Sequence, residues 1–191
     1  MFTRSTRVVV LTGAGISAES GIRTFRAADG LWESHRIEDV ATPDAWKRNP
    51  ELVWSFYQQR RRQLLEVEPN SGHHALVDLE AYLEHFLLVT QNVDNLHEQA
   101  GSSNLIHMHG ELAPLRCEAC GHVEVMMDDS HLGENFITCI QCEGRMRPHI
   151  VWFGEMPMHM PEIEKALAEC DVFVAIGTVS YTHLRAHETH E

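Results

Sequence analysis

The chain has 191 residues, 43% of them hydrophobic, and a formal charge of −13. That apolar content suits one good core, or a core with a small satellite, and excludes a disordered chain. The acidic balance disfavours general nucleic-acid binding and tolerates cationic partners such as lysine-rich segments. No apolar run reaches the ~20 residues of a membrane span. Val8 to Leu11 is too short for the core of a signal peptide, so a cytoplasmic protein with no membrane partner is expected.

In chain order, Val8, Val9, Val10 and Leu11 read as a strand buried on both faces of a parallel sheet. Gly13, Gly15 and Ala18 follow at the spacing of a nucleotide-binding turn. The first glycine permits the turn, the second lets backbone approach a pyrophosphate, and the small third residue lets a helix pack on the strand. Helix-start amides would then face the anion. A nicotinamide dehydrogenase would also need an acidic residue about 20 positions on, closing a second strand. The region Ala27 to Glu33 is no strand, so that reading fits poorly.

Asn49 and Pro50 read as the cap and first residue of a helix running to about Glu66, with Leu52, Val53, Phe56 and Leu64 inward. A loop follows, then a helix from His73 to Glu84. Strands are expected at Phe86 to Thr90, Asn104 to Met108 and Val172 to Ile176, with a helix over Glu162 to Glu169 and extended chain from His149 to Phe153. Alternating strands and helices predict an α/β fold, a Rossmann-like parallel sheet with two insertions.

Cys117-x-x-Cys120 and Cys139-x-x-Cys142 match the spacing of a four-thiolate zinc site. Four sulfurs close a tetrahedron and leave no position for water, so one structural Zn2+ is expected. Disulfides are disfavoured in a cytosolic chain. Cys170 stands outside the pattern and reads as a core residue.

Gln91, Asn92 and Asp94 follow one strand and His109 another. Strand carboxyl ends line the ligand crevice of an open α/β sheet, where such groups could bind a carboxamide and act as a general base. Asp94 serves equally well as a helix cap. His107 and His109 share one side of a strand, and spacing does not choose between them.

The joint set of motifs is specific: Gly13 to Ile22 with Phe25-Arg26, Thr90-Gln-Asn-Val-Asp94, His109-Gly-Glu111, the four cysteines, and Phe153-Gly-Glu-Met-Pro157. From about Arg7 to Thr178 the chain resembles the sirtuins, and is most similar to the CobB-type bacterial sirtuins. The resemblance implies NAD-dependent removal of acyl groups from lysine in protein or peptide substrates. It implies an NAD-binding domain of residues 1–31, 70–115 and 147–178, a helical module of 32–69 and a zinc module of 116–146. It implies that Gly13, Ala14, Gly15, Ala18, Glu19, Phe25, Arg26, Trp32, Gln91, Asn92, Val93, Asp94, Gly177 and Thr178 bind NAD. Asn92 and Asp94 would orient the nicotinamide carboxamide, and His109 would be the catalytic base, taking a proton from a ribose hydroxyl after the acyl oxygen has displaced nicotinamide. O-acyl-ADP-ribose would be the product. Val151, Trp152, Phe153, Gly154 and Glu155 would bind the substrate peptide as an extended edge.

Tyr57 and Arg60 lie three apart on one helix face and resemble the acid-recognising pair of desuccinylating sirtuins. A guanidinium fork suits a carboxylate, and Ala41 matches the small residue that widens the acyl pocket. Deacetylase and desuccinylase activity are both expected. After Thr178 the family pattern stops. Val179 to Glu191 carries no strand pattern and is expected to be a non-native tail, with the last strands of the sheet missing. An inactive, truncated, zinc-stabilised peptide-binding fragment is the alternative.

Overall fold

The computed structural model describes residues 3–22, 31–32 by backbone alone, 35–125, 132–133 and 135–178. Phe25, Arg26, the side chain of Trp32 and the segment 179–191 lie outside the described residues.

Strand β1 (Arg7–Thr12) is an interior strand of a four-stranded parallel sheet. A strand over Leu31–Trp32 (β2) and one over His35–Arg36 (β3) form a separate short hairpin. The large sheet is completed by β4 (His85–Thr90), β5 (Leu105–His107) and β9 (Val172–Ile176), in the order β5-β4-β1-β9. Helix α4 (Ser71–Tyr82) covers one face and α6 (Met160–Glu169) the other. Val8 and Val10 pack with Leu76 and Leu83, while Val9 and Leu11 pack with Ile163. The apolar run of β1 is unbroken because successive side chains enter two different cores.

The second body combines helices α1 (Ile37–Val40), α2 (Pro43–Arg48) and α3 (Pro50–Leu64) with a three-stranded antiparallel sheet. Its strands are β6 (Gly110–Cys117), β7 (Val123–Val125) and β8 (Met146–Ile150), ordered β7-β6-β8. One core unites them around Trp46, Trp54, Phe56, Tyr57, Leu115, Met146 and Trp152. Asn49 ends α2 and caps α3, its side chain accepting from the Leu52 amide at 3.1 Å. Arg61 of α3 is buried and donates to the carbonyls of Leu112 and Pro114 on β6 and to Gln58. Of Arg60, Arg61 and Arg62, only Arg62 is exposed.

Three local expectations fail. Residues Ala14–Ser20 form a 3-10 helix with Ile16 and Ser17 buried, and Ala18 is exposed. The smallness of Ala18 therefore does not serve packing on the strand. Strand β8 lies earlier than the apolar stretch suggests, because Met146 to Pro148 pair with β6 through Leu115 to Cys117 despite their charge and proline. Residues 152–155 form a turn instead of an extended edge, with Gly154 at φ +93° and the Glu155 amide bonded to the Trp152 carbonyl at 2.9 Å. No helix among the described residues is long and apolar enough to cross a membrane.

Candidate active site and metal centre

The glycine loop is locked to the end of β9. Gly13 donates to the Ile176 carbonyl at 3.0 Å and Gly15 to the Gly177 carbonyl at 2.9 Å. A Cβ on Gly13 would lie 2.6 Å from Thr178 Cβ, and one on Gly15 2.7 Å from Gly177 Cα. Both glycines are thus demanded by backbone packing within the protein. Their amides are spent on these carbonyls, which fixes the loop against the end of β9. Gly177 itself has φ +66°. Glu19 is exposed beside Ala18 on the same short helix, and Ala14 is half-buried.

The carboxyl ends of β1 and β4 carry a buried polar network. Thr12 donates to Thr90 at 2.9 Å, and Thr178 donates to Gln91 Oε1 at 2.8 Å. Asn92 Nδ2 donates to Ser17 Oγ at 3.0 Å, and Ser17 Oγ donates to Asp94 Oδ2 at 3.0 Å. Asp94 Oδ1 also accepts from the Leu96 amide at 3.2 Å, tying it to α5 (Leu96–Ala100). Asp94 thus receives the first amide of α5 from one residue before its N-cap, Asn95. Burial raises its pKa, opposed by the Leu96 and Ser17 hydrogen bonds. Val93 is half-buried, and its carbonyl accepts from Leu112 at 2.8 Å, which moors the loop to β6. Ser17 was not among the expected site residues; a lone serine after a glycine turn carries no motif of its own.

Hydrogen bonding separates the two histidines that spacing could not. His107 uses both ring nitrogens: Nδ1 is 3.0 Å from the Asn92 carbonyl and Nε2 is 2.7 Å from Glu98. His109 has Nδ1 3.1 Å from the Gln91 carbonyl, and its Nε2 has no partner among the described residues. A carbonyl only accepts, so the His109 proton sits on Nδ1 and a lone pair remains on Nε2. Burial pushes the His109 pKa below the ordinary histidine value, against the Gln91 hydrogen bond that raises it. The ring is therefore a neutral base near pH 7. Gly110, next in line, has φ +76°, and a Cβ there would lie 2.0 Å from the His149 carbonyl, so β6 starts close against β8.

Ala41, Tyr57, Trp152 and Phe153 are brought together. Trp152 Nε1 donates to the Tyr57 hydroxyl at 3.0 Å, and the Phe153 amide donates to the Ala41 carbonyl at 3.0 Å. Burial raises the Tyr57 pKa, so the phenol keeps its proton. Arg60 lies half-buried with its guanidinium carbon 4.8 Å above the Phe56 ring. Phe153 and Met156 are exposed, and Val151 donates to the His109 carbonyl at 2.9 Å. Glu155 accepts two bonds from Arg147, at 2.8 and 3.0 Å, and one from the Trp152 amide at 2.8 Å. Arg147 also stacks 3.5 Å over Trp152. Glu155 thus braces the turn, and Arg147, which no motif flagged, is its partner.

The four cysteine sulfurs lie within 4.8 Å of one another, with Cys117 to Cys142 at 3.5 Å and Cys120 to Cys139 at 3.7 Å. A tetrahedron with Zn–S bonds of about 2.3 Å has edges of roughly 3.8 Å, so the donor set fits zinc, and the separations are far too long for disulfides. The Ala119 and Gln141 amides each donate to the first sulfur of their knuckle at 3.4 Å. Gly121 at φ +74° and Glu143 at φ +61° occupy equivalent places after the second sulfur. Glu118 joins the module to α2, accepting from Trp46 Nε1 at 2.7 Å and from Arg145 Nε at 2.7 Å. Cys170 lies apart, half-buried at the C-terminal end of α6.

A model of the Sir2 family matches residues 13–183. The chain belongs to the Sir2 family, the sirtuins. It is 58% identical over 187 residues to a protein of Yersinia pestis named NAD-dependent protein deacylase, covering 96% of this chain and 67% of that one. A protein of Salmonella typhimurium with the same name is 57% identical over 188 residues, covering 97% of this chain and 68% of the relative. Among solved structures, a Sir2 homologue in complex with NAD superposes with a TM-score of 0.81 at 41% identity, covering 91% of this chain and 68% of that one.

Proposed function

We propose that the protein is a cytoplasmic NAD-dependent protein-lysine deacylase that removes acetyl and succinyl groups, releasing nicotinamide and passing the acyl group to ADP-ribose. The observation that carries the reading is His109, with Nδ1 held by the carbonyl of Gln91, the residue before Asn92, and Nε2 left without a partner among the described residues. NAD, consumed as a substrate, supplies the ribose that accepts the acyl group. Gly13, Ala14, Gly15, Gln91, Gly177 and Thr178 would hold its phosphate and ribose portions. Asn92 and Asp94, cross-linked through Ser17, would orient the carboxamide. His109 takes the proton from a ribose hydroxyl at Nε2, as its neutral tautomer allows. Zinc stays structural, with all four positions filled by sulfur.

Desuccinylation rests on Arg60, Tyr57 and Ala41. Arg60 supplies a cation on the same helix face as a phenol that stays protonated, and Ala41 is a small side chain whose carbonyl holds the Phe153 amide. The test uses acetyl-lysine and succinyl-lysine peptides with NAD, read by mass spectrometry and nicotinamide release. Wild type is expected to turn over both, and His109→Ala neither. Arg60→Met should lower desuccinylation at least about tenfold while sparing deacetylation, as loss of a charge-assisted pair would do. Equal loss of both activities would remove the selective role of Arg60.

A further inference from the structure

The charged pair on the far side of the Asn92–Asp94 loop is not used by the reaction as derived above. His107 is 8% exposed at its side chain, and both of its nitrogens face acceptors: the Asn92 carbonyl at Nδ1 and the Glu98 carboxylate at Nε2. A neutral imidazole has one N–H and satisfies one such acceptor; only the imidazolium satisfies both. We propose that His107 is a positioning residue for the nicotinamide end of the site, an imidazolium clamp that ties the Asn92 backbone to Glu98 of α5 and so fixes the side chains of Asn92 and Asp94. This assignment rests on the deacylase reading, which gives those two side chains their ligand.

The surroundings favour the charged form. Around His107 stand Asn92 on the loop, Glu98 and His97 on α5, Asp94, and Glu111 on β6. Burial alone would lower its pKa, but the Glu98 hydrogen bond and charge, the Asn92 carbonyl and Glu111 together raise it above the ordinary value. Burial would likewise raise Glu98, yet its bond to His107 draws it down. Two histidines two residues apart are thus set in opposite states, His109 neutral and His107 charged. Activity should rise with pH as His109 loses its proton, then fall as His107 loses its own. Deprotonated His107 keeps one bond, releases the other, and the loop is no longer tied to α5.

The test has two arms. In the first, the imidazole signals of the ligand-free chain are titrated by NMR. His107 should titrate above the ordinary histidine range, and Glu98→Gln, a change at a surface carboxylate, should lower that midpoint. An unmoved midpoint overturns the clamp. In the second, ADP-ribose and nicotinamide binding are measured with catalysis. His107→Leu and Glu98→Gln should weaken nicotinamide inhibition and raise the KM for NAD, by about tenfold for His107→Leu, while ADP-ribose binding holds within about twofold. In Glu98→Gln the alkaline limb of the rate profile should move to lower pH. Equal weakening of nicotinamide and ADP-ribose in both variants overturns the proposal in favour of a general loss of structure. Absence of turnover in wild type would defeat the deacylase reading instead, and the titration would still judge the clamp.

Discussion

The rings of His73 and His97 meet edge to face inside the sheet-helix layer, with centroids 4.9 Å apart at 65°. His73 Nδ1 accepts from the Asn70 amide at 3.2 Å, so its proton is on Nε2. His97 Nε2 lies 3.0 Å from Thr12 Oγ1, whose own proton goes to Thr90, so His97 donates there and keeps a lone pair on Nδ1. The two remaining nitrogens, both buried, are a donor and an acceptor.

Burial lowers both pKa values, that of His97 to about 4. A histidine whose folded pKa lies below its unfolded value contributes stability above pH 6.5 and loses it as pH falls toward the folded value. The protein should therefore lose roughly 3 kcal/mol between pH 6.5 and about 4 through His97. Urea unfolding across that range should show the slope, and His97→Gln should flatten it. An equally steep slope in His97→Gln would place the acid sensitivity elsewhere.

The zinc site predicts a sharp contrast between cysteines. Cys139→Ser should abolish binding of one zinc per chain, and Cys170→Ser should leave the metal content unchanged. Glu118 links the knuckle to the Trp46 indole, so metal removal by a chelator should also shift tryptophan fluorescence. Elemental analysis and emission spectra read both. Full metal retention in Cys139→Ser would exclude the tetrathiolate.

How far these features could be read from the sequence depends on how local their causes are. The run Val8 to Leu11, the Asn49-Pro50 helix start and the paired cysteine spacing each encode their structure within a few residues, and each appears where expected. Spacing does not choose between His107 and His109, and only the resemblance points to His109, because their hydrogen bonding turns on which carbonyl and which carboxylate arrive from other elements. Arg147 and Ser17 escaped notice for the same reason, since their partners lie eight and 77 residues away. Ala18 fitted a spacing rule, but the chain there winds as a 3-10 helix that turns it outward.

Arg61 and Arg62 are neighbours with opposite expected costs. Arg61 is 6% exposed and satisfies two β6 carbonyls, and burial lowers its pKa to about 10, so it remains charged at neutral pH. Arg61→Met strands those carbonyls and should destabilise the chain by about 2–4 kcal/mol, as removal of buried charged hydrogen bonds does. Arg62→Met, at an exposed position, should cost under about 0.5 kcal/mol. Denaturant midpoints measure both, and equal effects would contradict the division of roles.

Gly15 separates a packing requirement from a ligand requirement. A methyl group there would meet Gly177 backbone at 2.7 Å from Cα and 3.0 Å from the carbonyl oxygen, and neither atom belongs to a flexible side chain. Gly15→Ala should push β9 from the loop, break the Gly15–Gly177 hydrogen bond and cost about 1–3 kcal/mol even without NAD. Gly133→Ala is the control, since the nearest atom its methyl would meet among the described residues is 4.0 Å away. Melting of the ligand-free chain and NAD binding should be measured together. If Gly15→Ala melted like wild type but lost NAD binding, the glycine would be needed only for the approach of the pyrophosphate. If both fell, the contact with Gly177 is what holds the loop, and NAD affinity follows from it.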